Sequence, residues 1–398
     1  MMLGNPTPDK FAEAIMEALK VAGDTRTPTY DPDGFRIDFS DGTRIGLTNI
    51  YSQFEDLDSD GRTTLLENIV KVAVPGKRQE LPATLEEARP SIVPKLWSRG
   101  MMERLSLERR AKGETELDSP LIPVGDHLYA SIAYDLPHAI RSLNMEDLEA
   151  WNLTIYEALE IARENLGSAT HAFAKAGDSL YLSLAGDDYD ACRLLLPHVL
   201  RDFDVKGDPI ALVPDRRKLL VTGSEDEEGL ELMLELLDIE EEDGWPLSDV
   251  PLRLADDDVW EDWLPPEGHP LRERFSRKRK EFVASLYGEL REPLQELWGE
   301  QAYVASVMLI EDKETGERRT VSTWGKGLRT LLPETDEIAL VTHDEGVVLD
   351  VPFATLREHL GEMIKPVDVY PRRYEVSAFP SQAQIDQVLA ALSYHRSE

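Results

Sequence analysis

The feature that most restricts what this chain can fold into is an order of elements (strand, short turn, strand, helix) that its apolar pattern spells out four times. In the first pass, Phe35, Ile37 and Phe39 alternate with polar residues, Asp41-Gly42 supplies a turn, and Ile45 and Leu47 resume the alternation ahead of a helix over 49–55. The second pass runs from His171 through a Gly177-Asp178 turn and a strand over 180–184 into a helix over 188–200. The third has strands over 210–213 and 219–222 around Pro214-Asp215 and a helix over 225–237, and the fourth pairs 338–342 with 347–351 before a helix over 353–359. Hairpins joined to helices build antiparallel sheets, so the expected class is α+β, with repeated hairpin–helix (ββα) units packed on helices rather than a parallel doubly wound sheet. Such units are common enough that the repetition does not require duplication.

A chain of 398 residues exceeds what one core usually serves, so several domains are expected. We place an N-terminal α+β segment at 1–118, a central one at 119–240, a connection at 241–270 and a C-terminal α+β domain at 271–398. Thr7 and Pro8 read as the start of a helix carrying Phe11, Ile15 and Leu19 on one face. A long helix over 145–166, capped by Asn144, precedes the second unit, and 77–87 and 111–120 read as loops. The connection is rich in acids, prolines and isolated tryptophans, among them Trp245, Trp260 and Trp263. It is followed by the one concentrated basic run, from Arg272 to Lys280, whose cations are expected to face those acids or water.

The 77 acidic residues against 43 basic ones give a formal charge of −34. A field of that sign repels phosphate backbones and anionic membranes, so nucleic acid and membrane are excluded as first partners, and solubility is the simplest reading of the charge. Cys192 is the single cysteine, which rules out an internal disulfide and fits a reducing compartment; with no targeting or spanning segment in the sequence, the expected location is cytoplasmic.

Several stretches carry a likeness that composition does not. SIVPKLWS at 91–98, LYASIAYDL from Leu128, SLYLSLAGDDYDACRLLL from Ser179 and the continuation DPIALVPDRRKLLVTGSEDEEGLELM resemble, in order and spacing, the YtpQ-like family of bacterial proteins, a domain of unknown function (DUF1444). The likeness covers about residues 1–240 and not the last third. It implies a bacterial intracellular protein and supports the fold reading; it carries no activity.

Two segments hold candidate chemistry. GDDYDACR sets Asp187, Asp188, Tyr189, Asp190 and Arg193 at a strand-to-helix junction, where aspartates cap amides and complement a helix dipole and where Asp190 is spaced to pair with Arg193. The alternative is a polar binding or catalytic cluster. DLDSDGRTTLLE puts Asp56, Asp58, Asp60, Gly61 and Glu67 at positions 1, 3, 5, 6 and 12 of a calcium loop, although Thr63 replaces the usual aliphatic residue and no second loop follows. Histidines are scattered without metal-binding spacing, Cys192 reads as an inert packed thiol, and no phosphate-cradling glycine motif is present. We therefore assign no catalytic residue, metal or cofactor. The expectation is a non-enzymatic protein-binding, adaptor or chaperone-like module. An enzyme using the Asp187 to Asp190 carboxylates, or a calcium module at Asp56 to Glu67, stand as alternatives.

Overall fold

In a computed structural model the chain is α+β, as its pattern requires. The structure describes residues 6–395 except 33, 40–43, 75–80, 115–116, 137–138, 170–171, 240–245, 314–315 and 345. It divides into two compact units, Met1–Ile92 with Ala133–Ser142 and Asp147–Leu153, and Val93–Ile132 with Leu143–Glu146 and Thr154–Glu398. This division interleaves the segments placed at 1–118 and 119–240.

In the smaller unit, helix Pro8–Val21 begins on Thr7-Pro8; Thr7 is extended but makes no side-chain cap bond, so proline's fixed φ is the surviving start signal. The first hairpin forms as expected, Arg36–Phe39 against Arg44–Gly46, and gains a third strand, Pro28–Asp31, before helix Thr48–Asp56. The Asp41-Gly42 turn itself lies outside the described residues. Phe11, Ile15, Leu19, Ile37 and Phe54 are all buried, and the Phe11 and Phe54 rings meet at 4.8 Å, so helix and sheet share one core.

The larger unit is organised by a six-stranded antiparallel sheet, in spatial order Trp260–Asp262, Pro246–Leu254, Pro209–Asp215, Leu220–Gly223, Leu180–Ser183 and Phe173–Ala176. The second and third hairpins thus lie side by side. Helix Glu227–Leu237 covers one face through Leu230, Met233 and Leu234, which pack with Leu180, Ile210, Leu212, Leu220 and Phe275.

This sheet corrects the placing of a connection at 241–270. Leu247, Val250, Leu252 and Leu254 are buried, and Pro246–Leu254 is a full strand next to the central one. Its prolines misled: Pro246 opens the strand, and Pro251 falls where the register against Ala211 and Val213 shifts, two places where a missing amide N–H does not break the ladder. Trp260 is buried and donates Nε1–H to the Leu194 carbonyl at 2.9 Å; Trp245 lies outside the described residues.

Two expected helices are also corrected. The 145–166 stretch is two helices, Met145–Ala150 and Ile155–Ser168, because Asn152 turns to φ 54° and Thr154 begins a new helix with a capping box to Glu157. The 188–200 stretch is a short 3-10 segment, Ala191–Leu195, followed by helix Pro197–Arg201. Pro197 has no N–H to continue an α-helix from the preceding turn.

The fourth hairpin, Glu337–Thr342 with Gly346–Pro352, and its helix Phe353–Leu360 form as expected. The hairpin belongs to a mixed sheet in the order Met308–Glu311, Arg318–Gly325, Glu337–Thr342, Gly346–Pro352, whose middle pair is parallel. The parallel step requires a crossover, which passes through strand Thr330–Pro333 of a second four-stranded sheet. The basic run lies on helix Arg272–Glu289, where Arg279 approaches Asp262 of the acidic stretch at 3.6 Å, while Arg274 pairs with Glu231 at 2.7 Å, Lys280 with Asp336 at 3.3 Å and Lys278 with Asp238, acids outside it. Among the described residues no helix is long and apolar enough to cross a membrane.

Candidate functional site

The GDDYDACR segment leaves the sheet at Ser183 and turns back under it. Asp190 is buried and accepts three hydrogen bonds, from Ser183 Oγ at 2.5 Å, Ala185 N at 2.9 Å and Gly186 N at 3.1 Å. Arg193 has a fully buried side chain, and its guanidinium donates to both oxygens of Asp187, at 2.9 and 2.7 Å. That bidentate bond, with the Tyr189 N–H, holds the Asp187 carboxyl below its ordinary range, and the same partner outweighs the burial that opposes charge on Arg193. The segment is a 3-10 turn and not an α-helix, and the loop curls so that position 187 faces the arginine. Asp188 adopts φ 62° and lies 3.7 Å from Arg216. Of the five predicted residues, then, Asp187, Asp190 and Arg193 form one structural knot in which both carboxylates are occupied in holding the loop. Cys192 beside them is buried, and burial pushes its thiol up to about 12, the opposite of an activated nucleophile.

The calcium loop does not form. Ser59–Ala73 is helical from the fourth of the twelve positions onward, and Asp58 Oδ1 accepts the Gly61 N–H at 2.8 Å as the N-cap of that helix. A helix turns successive side chains by about 100°, so alternate residues cannot converge on one cation. The side chains of Asp56 and Asp60 lie outside the described ones. Among the described residues no three His, Cys, Asp or Glu side chains are grouped to hold a metal.

A second constellation, invisible in the sequence, occurs in the larger unit. Strands Ile122–Val124 and Leu128–Leu136 are joined by a tight turn at Gly125-Asp126. Gly125 has φ 58°, and a Cβ there would lie 2.8 Å from Asp262 Oδ1 and 2.5 Å from Leu252, so only glycine lets the turn approach strand Trp260–Asp262. The Asp126 N–H donates to Asp262 Oδ1 at 2.9 Å. His127, next in the chain, sets Nε2 at 3.3 Å from Asp262 Oδ2 and Nδ1 at 2.7 Å from the Tyr370 hydroxyl, while Arg279 reaches to 3.6 Å from the same Oδ2. Both contacts pair Asp262 Oδ2 ionically, without the geometry of a full hydrogen bond. Burial pushes the Asp262 carboxyl up, but His127, the Asp126 N–H and Arg279 together outweigh it and hold it below its ordinary value. Burial raises the Tyr370 phenol, which therefore stays protonated. With Asp262 ionised beside Nε2, the ring proton belongs there, and Tyr370 donates to Nδ1.

Asp262, Asp126 and Arg279 line an open pocket of about 730 Å³, with Ile122, Val124, Val259 and Trp260 among its walls. His127 and Tyr370 are buried and are not among its lining residues, so the chain from phenol to imidazole to carboxylate positions Asp262 and does not present a nucleophile. Sequence reasoning missed this group because its members lie up to 243 residues apart and share no motif.

The third feature is an edge. Strand Met308–Glu311 ends its sheet, pairing with Arg318–Gly325 on one side; among the described residues no strand pairs with its other side. All four of its residues are exposed, with Met308, Leu309 and Ile310 at 46%, 37% and 38%. Consecutive residues point to opposite faces, so the strand is apolar on both. No family model, no curated protein and no solved structure matches this chain, so what can be said of its function comes from these three features.

Proposed function

We propose that the protein is a non-enzymatic interaction module that takes up an extended segment of another protein along the Met308–Glu311 edge. The observation that supports this most directly is the run Met308-Leu309-Ile310, exposed on a strand whose outer edge, among the described residues, meets no further strand. Proteins ordinarily protect such an edge with lysine, proline or a covering element; this one is apolar and, among the described residues, uncovered by another strand, which suits strand addition. The side chains that face solvent there would gain on the order of 2–3 kcal/mol on being covered, before any backbone hydrogen bonds. The occupant that fits is an apolar stretch flanked by basic residues. The field of a chain of net charge −34 favours basic flanks and repels a second copy of the chain. The occupation of Asp187 and Asp190 by Arg193 and the loop backbone favours this reading over an enzyme built on those carboxylates.

The test is site-specific photo-crosslinking. A benzophenone amino acid is placed at Met308 and, as a control, at Tyr156, an exposed residue on helix Ile155–Ser168. A discrete adduct from position 308 alone, mapped by mass spectrometry to an extended, basic-flanked segment and abolished by Leu309→Lys, supports the proposal. A crosslink to a second copy of the chain, equal labelling from both positions, or no adduct overturns it.

A further inference from the structure

We propose that Met308 is an oxidative modification site: a peroxide converts its thioether to the sulfoxide ahead of the other described methionines, and the sulfoxide closes the Met308–Glu311 edge to an apolar segment. The modification stands on where the sulfur atoms lie; its effect on the edge rests on the strand-addition reading above.

Nine methionines and one cysteine carry the sulfur of this chain. Cys192 is buried with its thiol pushed up to about 12, so the thiolate that reacts with peroxides is withheld. Met1 and Met2 lie outside the described residues. Of the rest, Met102 and Met233 are buried at 6% and 0% exposure, and Met16, Met101, Met145 and Met363 are half-buried. Met16 packs against the core of the smaller unit, and Met363 against the C-terminal core, where its Sδ also accepts from Gln384 Nε2 at 3.3 Å. Among the described methionines Met308 alone is exposed, at 46%, on the strand that ends its sheet.

In the reaction a lone pair on Met308 Sδ attacks one peroxide oxygen, the O–O bond breaks and an S–O bond forms. The other oxygen leaves as water or an alcohol after a proton shift through solvent. Sulfur loses the electron pair that the peroxide gains, so the step needs no cofactor and no catalytic residue. The product puts a strongly polar S–O group at the head of the run Met308-Leu309-Ile310. Ile310, two positions on, shares its face, and Val321 lies opposite it in register, so an added strand would bury that oxygen among aliphatic side chains. Sulfoxide reductases reverse the change, which makes it a switch.

The experiment treats the full-length protein with dilute hydrogen peroxide and maps sulfoxides over time by mass spectrometry, with a parallel sample in urea. Met308 is expected to oxidise fastest of the seven described methionines, on the order of tenfold faster than Met102 and Met233, and the rates are expected to converge in urea. A second measurement places the benzophenone at Ile310. Its adduct is expected to fall about tenfold in yield after peroxide treatment. In Met308→Leu the yields before and after treatment are expected to be equal, whatever the starting yield. Another described methionine oxidised as fast as Met308 in the native protein, or the same order of rates kept in urea, overturns the modification site. An undiminished adduct from the oxidised parent, or an equal fall in Met308→Leu, overturns its control of the edge. No adduct from position 310 before treatment refutes strand addition and that control together, while the mapped rates judge the modification site by themselves.

Discussion

Removing the Asp190 carboxylate measures how the sheet-end loop is held. Asp190 gathers Ser183 Oγ and the Ala185 N–H on Oδ1 and the Gly186 N–H on Oδ2. A hydrogen bond to a charged acceptor contributes about 1.5–3 kcal/mol, and three that share one acceptor group do not add in full, so Asp190→Ala is expected to cost about 3–5 kcal/mol. Asp190→Asn separates the two oxygens. Its carbonyl replaces Oδ1 and keeps two bonds, while its NH₂ faces the Gly186 N–H donor to donor, for an expected cost of about 1–2 kcal/mol. Ser183 is buried, so the Asp190→Ala background leaves its hydroxyl orphaned. A following Ser183→Ala should then be neutral within about 0.5 kcal/mol, although the same change in the parent protein costs about 1–3 kcal/mol. Urea denaturation with unchanged m-values reads all four states. Equal costs for Asn and Ala, or additive Ser183 and Asp190 effects, would refute the account of Asp190 as the organiser of this loop.

Two further outcomes follow from the same elements. Cys192, buried and with its thiol pushed up to about 12, should resist dithionitrobenzoate in the native protein and react fully in urea; rapid native labelling at pH 8 would contradict its packed position. Asp187 and Asp262 are both held below the ordinary value of 3.8, so the stability they supply is present in full above the unfolded value and is lost as pH falls through their lower folded values. The difference in urea midpoint between the parent and an Asp187→Asn, Asp262→Asn double variant should therefore be flat from pH 7 to 5 and shrink below about pH 4. A difference that vanishes already between pH 7 and 5 would show that these carboxylates are not the groups so held.

The sequence by itself determined the class and much of the element order. Period-two alternation around turn residues specifies hairpins, and in three of the four expected hairpin–helix units both strands and the helix formed, because their apolar residues are local and regular: Ile210, Leu212 and Leu220 face Leu230 and Met233 within a span of fewer than 30 residues. Local pattern failed where a residue's meaning depended on what lay across from it. Pro246 and Pro251 looked like a linker because nothing in 246–254 reveals that a strand waits at Pro209–Asp215 to pair with it. Asp58, Gly61 and Glu67 matched a loop that capping converted into a helix. The sites were hidden for the same reason. Asp187 grips Arg193 because a buried 3-10 turn replaces the expected α-helix, and Asp262, His127 and Tyr370 are neighbours only through the sheet and the helices packed on it. Charge, hydrophobic period and turn chemistry act over a few residues and can be read in order along a chain. Burial, orphaned acceptors and uncovered edges are properties of what surrounds an atom, and only the tertiary structure decides them.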